Sequence, residues 1–177
     1  MHPSILFRSI SLVPALVMAL VCVLAAGQPT AAAELVGFSD TRFQPGTIVI
    51  RNGEKRLYLV LSGNRAIRYK VAVGKRTKSW TGAAHITAKY IRPDWAPSPE
   101  VRRDHPNLPT LIKGGAPNNP MGIAAMTLSN GNYAIHGTNR PGSIGRAVSY
   151  GCIRMANHDI QDLFQRVGIR TPVVALP

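Results

Sequence analysis

Alternation with a period of two, cut by Asn and Gly, constrains this chain more than any other pattern in it. Ile67, Tyr69, Val71 and Val73 fall on one side of an extended run, with Arg68 and Lys70 on the other. This spacing predicts a strand with one face in a core and one in water, because side chains alternate across a pleated backbone. The run before it, Leu57 to Leu61, is apolar on both faces, and Ile48 and Ile50 alternate with Val49 and Arg51. Asn52-Gly53 predicts a two-residue hairpin turn between those runs, and Gly63-Asn64 a second turn, since both residue types tolerate positive φ. Asn130-Gly131 predicts a third, between Ile123–Leu128 and Tyr133–His136. Val173-Val174-Ala175-Leu176 reads as a final strand.

One helix interrupts this pattern. Ile160, Leu163, Phe164 and Val167 recur at helical spacing, with Asn157 as the expected cap and Gly168 as the expected stop. The expected fold is mainly β: a two-sheet, β-sandwich-like domain with one docked C-terminal helix. Between Arg92 and Met121 neither period survives. Seven of the chain's 14 prolines lie from Pro93 to Pro120, among them Gly114-Gly115 and Asn118-Asn119. A Pro/Gly-rich loop this long in a small domain is either a segment that covers a site or a plain surface insertion.

The N-terminal end is a separate matter. Arg8 precedes Leu12 to Ala26, a run of 15 apolar residues, and Ala31-Ala32-Ala33 follows as a cleavage site. Residues 1–33 are therefore expected to be a secretory signal peptide, with an uncleaved anchor as the alternative. Residues 34–177 are expected to form one domain, exported to the periplasm or cell envelope. Apolar residues make up 45% of the chain and charged ones 16%, which excludes a disordered protein. Loss of Arg8 lowers the formal charge only from +13 to +12. Export, and the lack of a basic motif interleaved with aromatics, argue against nucleic acid as the partner of that charge.

Cys22 belongs to the leader, so Cys152 is the single thiol of the exported domain. A lone thiol in an oxidising compartment is either a small buried hydrophobe or a reactive group. Its neighbours favour chemistry. His136 ends an expected strand just before Gly137, and Cys152 follows Gly151 and precedes Arg154. An imidazole beside a thiol can take its proton to make the attacking thiolate. Gly151 lets the backbone approach a substrate, so amides around Cys152 could hold a developing oxyanion. Arg140, Arg146 and Arg154 add positive potential.

The residues of this stretch resemble a known family. His136-Gly137-Thr138-Asn139, Ser143-Ile144-Gly145 and Ser149-x-Gly151-Cys152-Ile153-Arg154-Met155-x-Asn157-x-Asp159 are similar to the signature of the L,D-transpeptidases, the YkuD domain. Asn119-Pro120-Met121-Gly122 extends the likeness upstream. The resemblance implies a β-rich enzyme acting on peptidoglycan stem peptides. The family's cysteine attacks the carbonyl of the third stem residue, often meso-diaminopimelate, and expels the terminal D-alanine. An amine of another stem then attacks the thioester to give a 3→3 cross-link. By this likeness Cys152 is the nucleophile, His136 the proton donor and acceptor, and Gly137, Ser149, Tyr150, Gly151 and Arg154 surround the thiol and contact substrate.

The implied partners are a tetrapeptide donor and an amine acceptor, with an envelope protein as another acceptor and water as the carboxypeptidase alternative. No metal or organic cofactor is implied. Two departures stand out: Tyr150 occupies the place of the family's usual histidine, and Trp80-Thr81-Gly82-Ala83 that of a Thr-Pro-x-Gly turn. A catalytically weak peptidoglycan-binding protein is the reading that Tyr150 keeps open.

Other polar residues carry less. His85 reads as structural, His105 as a loop histidine within reach of substrate, and His158 as a surface residue. No two histidines pair with a cysteine at zinc-ligand spacing. Trp80 and Trp95 either line the cleft or pack. Asp159 and Asp162 suit the start of a helix.

Overall fold

The computed structural model describes residues 33–177. The leader expected over residues 1–33 lies outside the described residues, Ala33 apart. The alternating runs form β1 (Glu34–Gly37), β2 (Ile48–Arg51), β3 (Arg56–Leu61) and β4 (Arg65–Gly74). They pair antiparallel in the order β1-β4-β3-β2. The turn between β2 and β3 differs from the expected two-residue hairpin. Four residues, 52–55, join the strands, and Lys55 takes the left-handed conformation at φ 54°. Asn52 is engaged elsewhere: its amide donates to the carbonyls of Trp80 and Leu176, both at 2.9 Å.

The remaining strands are β5 (Gly82–Ile91), β6 (Ala124–Leu128), β7 (Ala134–His136), β8 (Ala147–Ser149), β9 (Ile153–Met155) and β10 (Pro172–Leu176). β10 runs parallel to β2 and antiparallel to β5. Two long strands then change the architecture. β5 pairs with β10 through its first half and with β6 through its second. β4 pairs with β3 through Lys70, and its Val71 and Ala72 go on to pair with β9. Hydrogen bonding therefore runs β4-β3-β2-β10-β5-β6-β7-β9 and returns to β4. The expected two-sheet sandwich is corrected by this closure into a barrel-like fold. Strands of ten residues, each ~33 Å long, reach from one half to the other and leave no open edge between them.

The interior is filled by the alternating residues. Ile48, Leu57, Tyr69, Val71, Ile86, Met126, Ile135, Ile153 and Met155 are all essentially buried. A smaller cluster of Phe38, Val49, Tyr58, Val60 and Ala66 sits on the other face of the same strands. It explains why Leu57 to Leu61 is apolar on both sides: Leu57 and Leu59 enter the main core, Tyr58 and Val60 the second one.

The long segment between β5 and β6 carries a short helix, α1 (Pro99–Asp104), whose Ser98 side chain accepts from the Val101 amide at 3.3 Å. The segment is pinned at its base. Trp95 bridges to Ile112, and the buried Asn119 amide donates to the carbonyls of Pro93, Ile112 and Lys113.

The main helix, α2 (Asn157–Arg166), buries Ile160 and Leu163 in the main core. It is internal and not C-terminal, because β10 follows it and enters the middle of the sheet. Its N-terminal end differs from expectation, because Ala156 holds the N-cap position with no side-chain cap bond; its C-cap is Val167, so the helix ends just before Gly168. The C-terminal carbonyls are met by Lys89 of β5, whose Nζ donates to Phe164 and Val167 at 2.6 Å each.

Candidate active site

Parallel pairing of β7 with β9 sets Ile135 opposite Ile153 and His136 opposite Arg154. His136 closes one strand and Cys152 immediately precedes the other, so residues distant in sequence meet at one end of the sheet. A cavity of about 610 Å³ opens there, and His136, Ser149, Tyr150, Cys152 and Arg154 all line it. Gly137 and Gly151 do not line it. Both are buried and shape the wall from behind.

His136 is 4% exposed, and its Nδ1 donates to the Gly137 carbonyl at 2.7 Å. That tautomer leaves the basic lone pair on Nε2. Burial, with the Arg154 guanidinium next in weight, pulls the imidazole pKa down to about 4, against the Gly137 and Pro120 carbonyls. Cys152 is a free, half-buried thiol. Burial pushes its pKa up, while the Ala134 backbone and Arg154 act in the opposite sense. At neutral pH the pair therefore rests as thiol and neutral imidazole.

The loop that carries Cys152 is braced from inside. Ser149 is 2% exposed. Its hydroxyl donates to the Cys152 carbonyl at 2.6 Å and accepts from the Gly151 amide at 3.1 Å. Gly151 adopts φ +117°, and a Cβ there would fall 2.2 Å from Cε1 of Tyr133. Tyr133 cannot easily yield, because Trp80 stacks on it at 5.9 Å and 6° between planes. Trp80 Nε1 also donates to the Gly151 carbonyl at 3.1 Å. Trp80 and Tyr133 thus form a wedge behind the thiol, a role no spacing in the sequence announces.

Asn157, expected to cap α2, instead supports His136. Its Oδ1 accepts from the Thr138 amide at 2.9 Å and lies where a Cβ on Gly137 or Gly122 would collide with it. The clue available in the sequence was the Asn-Pro-Met-Gly and His-Gly-Thr pair of glycines, which only packing explains.

The cavity is strongly cationic. Lys75, Arg140, Arg146 and Arg154 line it, and no Asp or Glu does. Arg154 Nη1 donates to Ser143 Oγ at 3.0 Å, while its buried Nε has no partner among the described residues. Desolvation and the nearby Arg140 lower the Arg154 pKa. The opposite wall comes from the long segment: Trp95, Val101, His105, Leu108 and Ile112. Tyr150 reaches across to this wall, its hydroxyl donating to the Asp104 carboxylate at the end of α1. That bond raises the Tyr150 pKa to about 12.

Two histidines read as peripheral, His85 and His158, do not line the cavity. His85 lies in β5, and His158 Nε2 stands 3.3 Å from the buried Asp159. Asp162 does more than face a helix dipole: it accepts from the buried Tyr69 hydroxyl at 2.6 Å and pairs with Arg166. Among the described residues no three His, Cys, Asp or Glu side chains gather to hold a metal ion.

The L,D-transpeptidase catalytic domain model, YkuD, matches residues 45–174. The chain belongs to that family. Curated relatives agree in sequence. A probable L,D-transpeptidase, YbiS of Escherichia coli K12, is 36% identical over 135 residues, covering 71% of this chain and 43% of its own length. A putative L,D-transpeptidase, YkuD of Bacillus subtilis, is 36% identical over 128 residues, covering 72% of this chain and 63% of that one. This YkuD-family chain thus spans less than half the length of the first of these relatives. Among solved structures, an L,D-transpeptidase from Mycobacterium smegmatis superposes with a TM-score of 0.59 at 17% identity, over 74% of this chain and 58% of that one. At that identity the likeness speaks to the fold.

Proposed function

We propose that the protein is an exported L,D-transpeptidase that acylates Cys152 with a peptidoglycan stem peptide. The observation that carries this is the convergence of His136, Cys152 and Arg154 on one cationic cavity lined by no carboxylate. Such a cavity suits a donor bearing free carboxylates, which arginines hold bidentately.

In the first step Cys152 Sγ forms a bond to the carbonyl carbon of the third stem residue as His136 Nε2 takes the thiol proton. Collapse of the tetrahedral intermediate breaks the C–N bond, and His136 returns that proton to the departing D-alanine amine. In the second step an acceptor amine attacks the thioester, gives its proton to His136, and restores the thiol. The Gly151 amide is engaged with Ser149, so the Cys152 amide is the backbone donor assigned here to the oxyanion. An amine of another stem gives a 3→3 cross-link, an envelope-protein amine a wall attachment, and water an L,D-carboxypeptidase product. The formal charge of +12 left after loss of Arg8 from the full chain's +13 suits retention on an anionic wall.

The test is intact-mass spectrometry of the reduced protein with a carbapenem. Wild type should gain the mass of the drug, and Cys152→Ala should gain nothing. No adduct on a folded, reduced wild type would refute the nucleophile and favour a non-catalytic wall binder. Muropeptide analysis of sacculi treated with the active protein then identifies the acceptor.

A further inference from the structure

We infer that Tyr150 is a positioning residue: through Asp104 it clamps α1 and the surrounding 92–121 segment against the nucleophile loop, so that this segment serves as one wall of the donor site. This role presupposes the transpeptidase chemistry proposed above.

Burial does not hold α1 in place. The helix is six residues long and none of them is buried. A helix so short is unstable by itself, and with no apolar face in the core it lacks the usual tertiary support. Its place is set by polar contacts reaching it from the nucleophile side. Glu100 pairs with Lys78, and Asp104 accepts from the Tyr150 hydroxyl.

The residues on the other end of these contacts belong to one platform. Lys75 donates its amide to the Ser149 carbonyl at 2.9 Å, and the Lys78 amide donates to the Lys75 carbonyl at 2.7 Å. Lys75 Nζ also lies 4.7 Å from the centre of the Tyr150 ring, fixing the ring from its face. Lys75, Lys78, Ser149 and Tyr150 thus move as a unit with the thiol. Asp104 stands at the C-terminal end of α1, where a negative charge opposes the helix dipole. The tyrosine hydroxyl gives that carboxylate a partner.

The consequence falls on the cavity. Val101 and His105 of the α1 region, with Leu108, line it opposite the arginines. Release of the clamp would let that wall drift and would cost donor binding, while Cys152, His136 and Ser149 keep their own bonds. The Tyr150 hydroxyl, occupied by Asp104, is not offered to the reacting carbonyl.

The experiment compares Tyr150→Phe, Asp104→Ala and the double variant by two readouts. Amide exchange of the segment from Trp95 to Ile112, followed by mass spectrometry, reports the clamp without requiring activity. Release of D-alanine from a tetrapeptide donor separates KM from kcat. Loss of a hydrogen bond to a charged group predicts exchange about tenfold faster in each single variant. The double variant should be no faster than either single one, because both remove the same contact. KM should rise by a similar factor with kcat within about twofold of wild type. Unchanged exchange, or additive effects, would overturn the clamp. A fall in kcat at constant KM would overturn the positioning role and place Tyr150 at the reacting atoms. A wild type that forms no carbapenem adduct would sink the transpeptidase reading, while exchange would still decide whether the clamp exists.

Discussion

Replacement of Gly151 by alanine tests the wedge behind the thiol. Two separate costs follow from the geometry. The backbone at φ +117° is a region that L-residues scarcely enter, and holding a Cβ there costs about 1–3 kcal/mol. The new Cβ would also lie 2.2, 2.8 and 3.0 Å from three ring atoms of Tyr133. That ring is stacked on Trp80, so relief requires a shift of a packed pair, costing about a further 1–3 kcal/mol. The sum is about 2–6 kcal/mol, against a total stability of about 5–15 kcal/mol for a domain of this kind. Urea unfolding should show a lower midpoint at unchanged slope.

A second variant separates the two parts. Tyr133→Leu added to Gly151→Ala removes the ring clash and leaves the backbone strain, so it should return only about 1–3 kcal/mol, the share assigned to overpacking. Activity should fall further than stability explains. Displacement of the Gly151 peptide breaks its bond to Trp80 and moves Cys152, and a misplacement of about 1 Å costs on the order of 10²-fold in rate. A Gly151→Ala protein with wild-type midpoint and wild-type carbapenem adduct rate would refute the reasoning. Complete recovery on adding Tyr133→Leu would refute the backbone share.

Four further outcomes are expected. His136, with its pKa lowered to about 4, stays neutral in the fold while an unfolded imidazole protonates near 6.5, so its contribution is fully present above pH ~6.5 and is lost as pH falls toward 4. Urea titrations from pH 7 to 4 should cost wild type about 3 kcal/mol more than His136→Gln, and equal slopes would contradict the buried neutral imidazole. The rate of Cys152 acylation should hold down to about pH 5 for the same reason, and a midpoint near 6.5 would place a solvated histidine there. Asn157→Ala should lose about 1–3 kcal/mol in thermal unfolding, since it leaves the Thr138 amide unpaired, and should slow acylation through the His136 turn. Lys89→Met should lower stability by about 1–2 kcal/mol by uncovering the Phe164 and Val167 carbonyls, with adduct formation unaffected once folded.

Local periodicity was a good guide wherever one side of an element faces the core. The runs at Ile48, Leu57, Ile67 and Val173 all became strands, because burial selects every second residue. Ile160 and Leu163 likewise located α2, since burial of a helix stripe leaves the same kind of trace. The candidate site was legible for a different reason. Cys152, His136 and Arg154 sit among glycines, and glycine marks places where the backbone must bend or come close.

Closure of the sheet was not legible. Val71 and Ala72 pair with β9, and nothing in the alternation of β4 says where one partner ends and the next begins. Asn157 and Asn52 misled for a related reason: an asparagine amide serves a local cap or turn as readily as a distant carbonyl or amide. Their choice was made by partners about 19 and 28 or more residues away. The same holds for the Trp80–Tyr133 wedge and for the Tyr150–Asp104 contact. The amino-acid sequence alone determined most of the long strands and the main helix, and singled out Cys152 and His136 as candidates, since those depend on near neighbours. Which strands meet, what braces the thiol and what walls the cavity depended on contacts between remote segments, and only the folded chain brings those within reach.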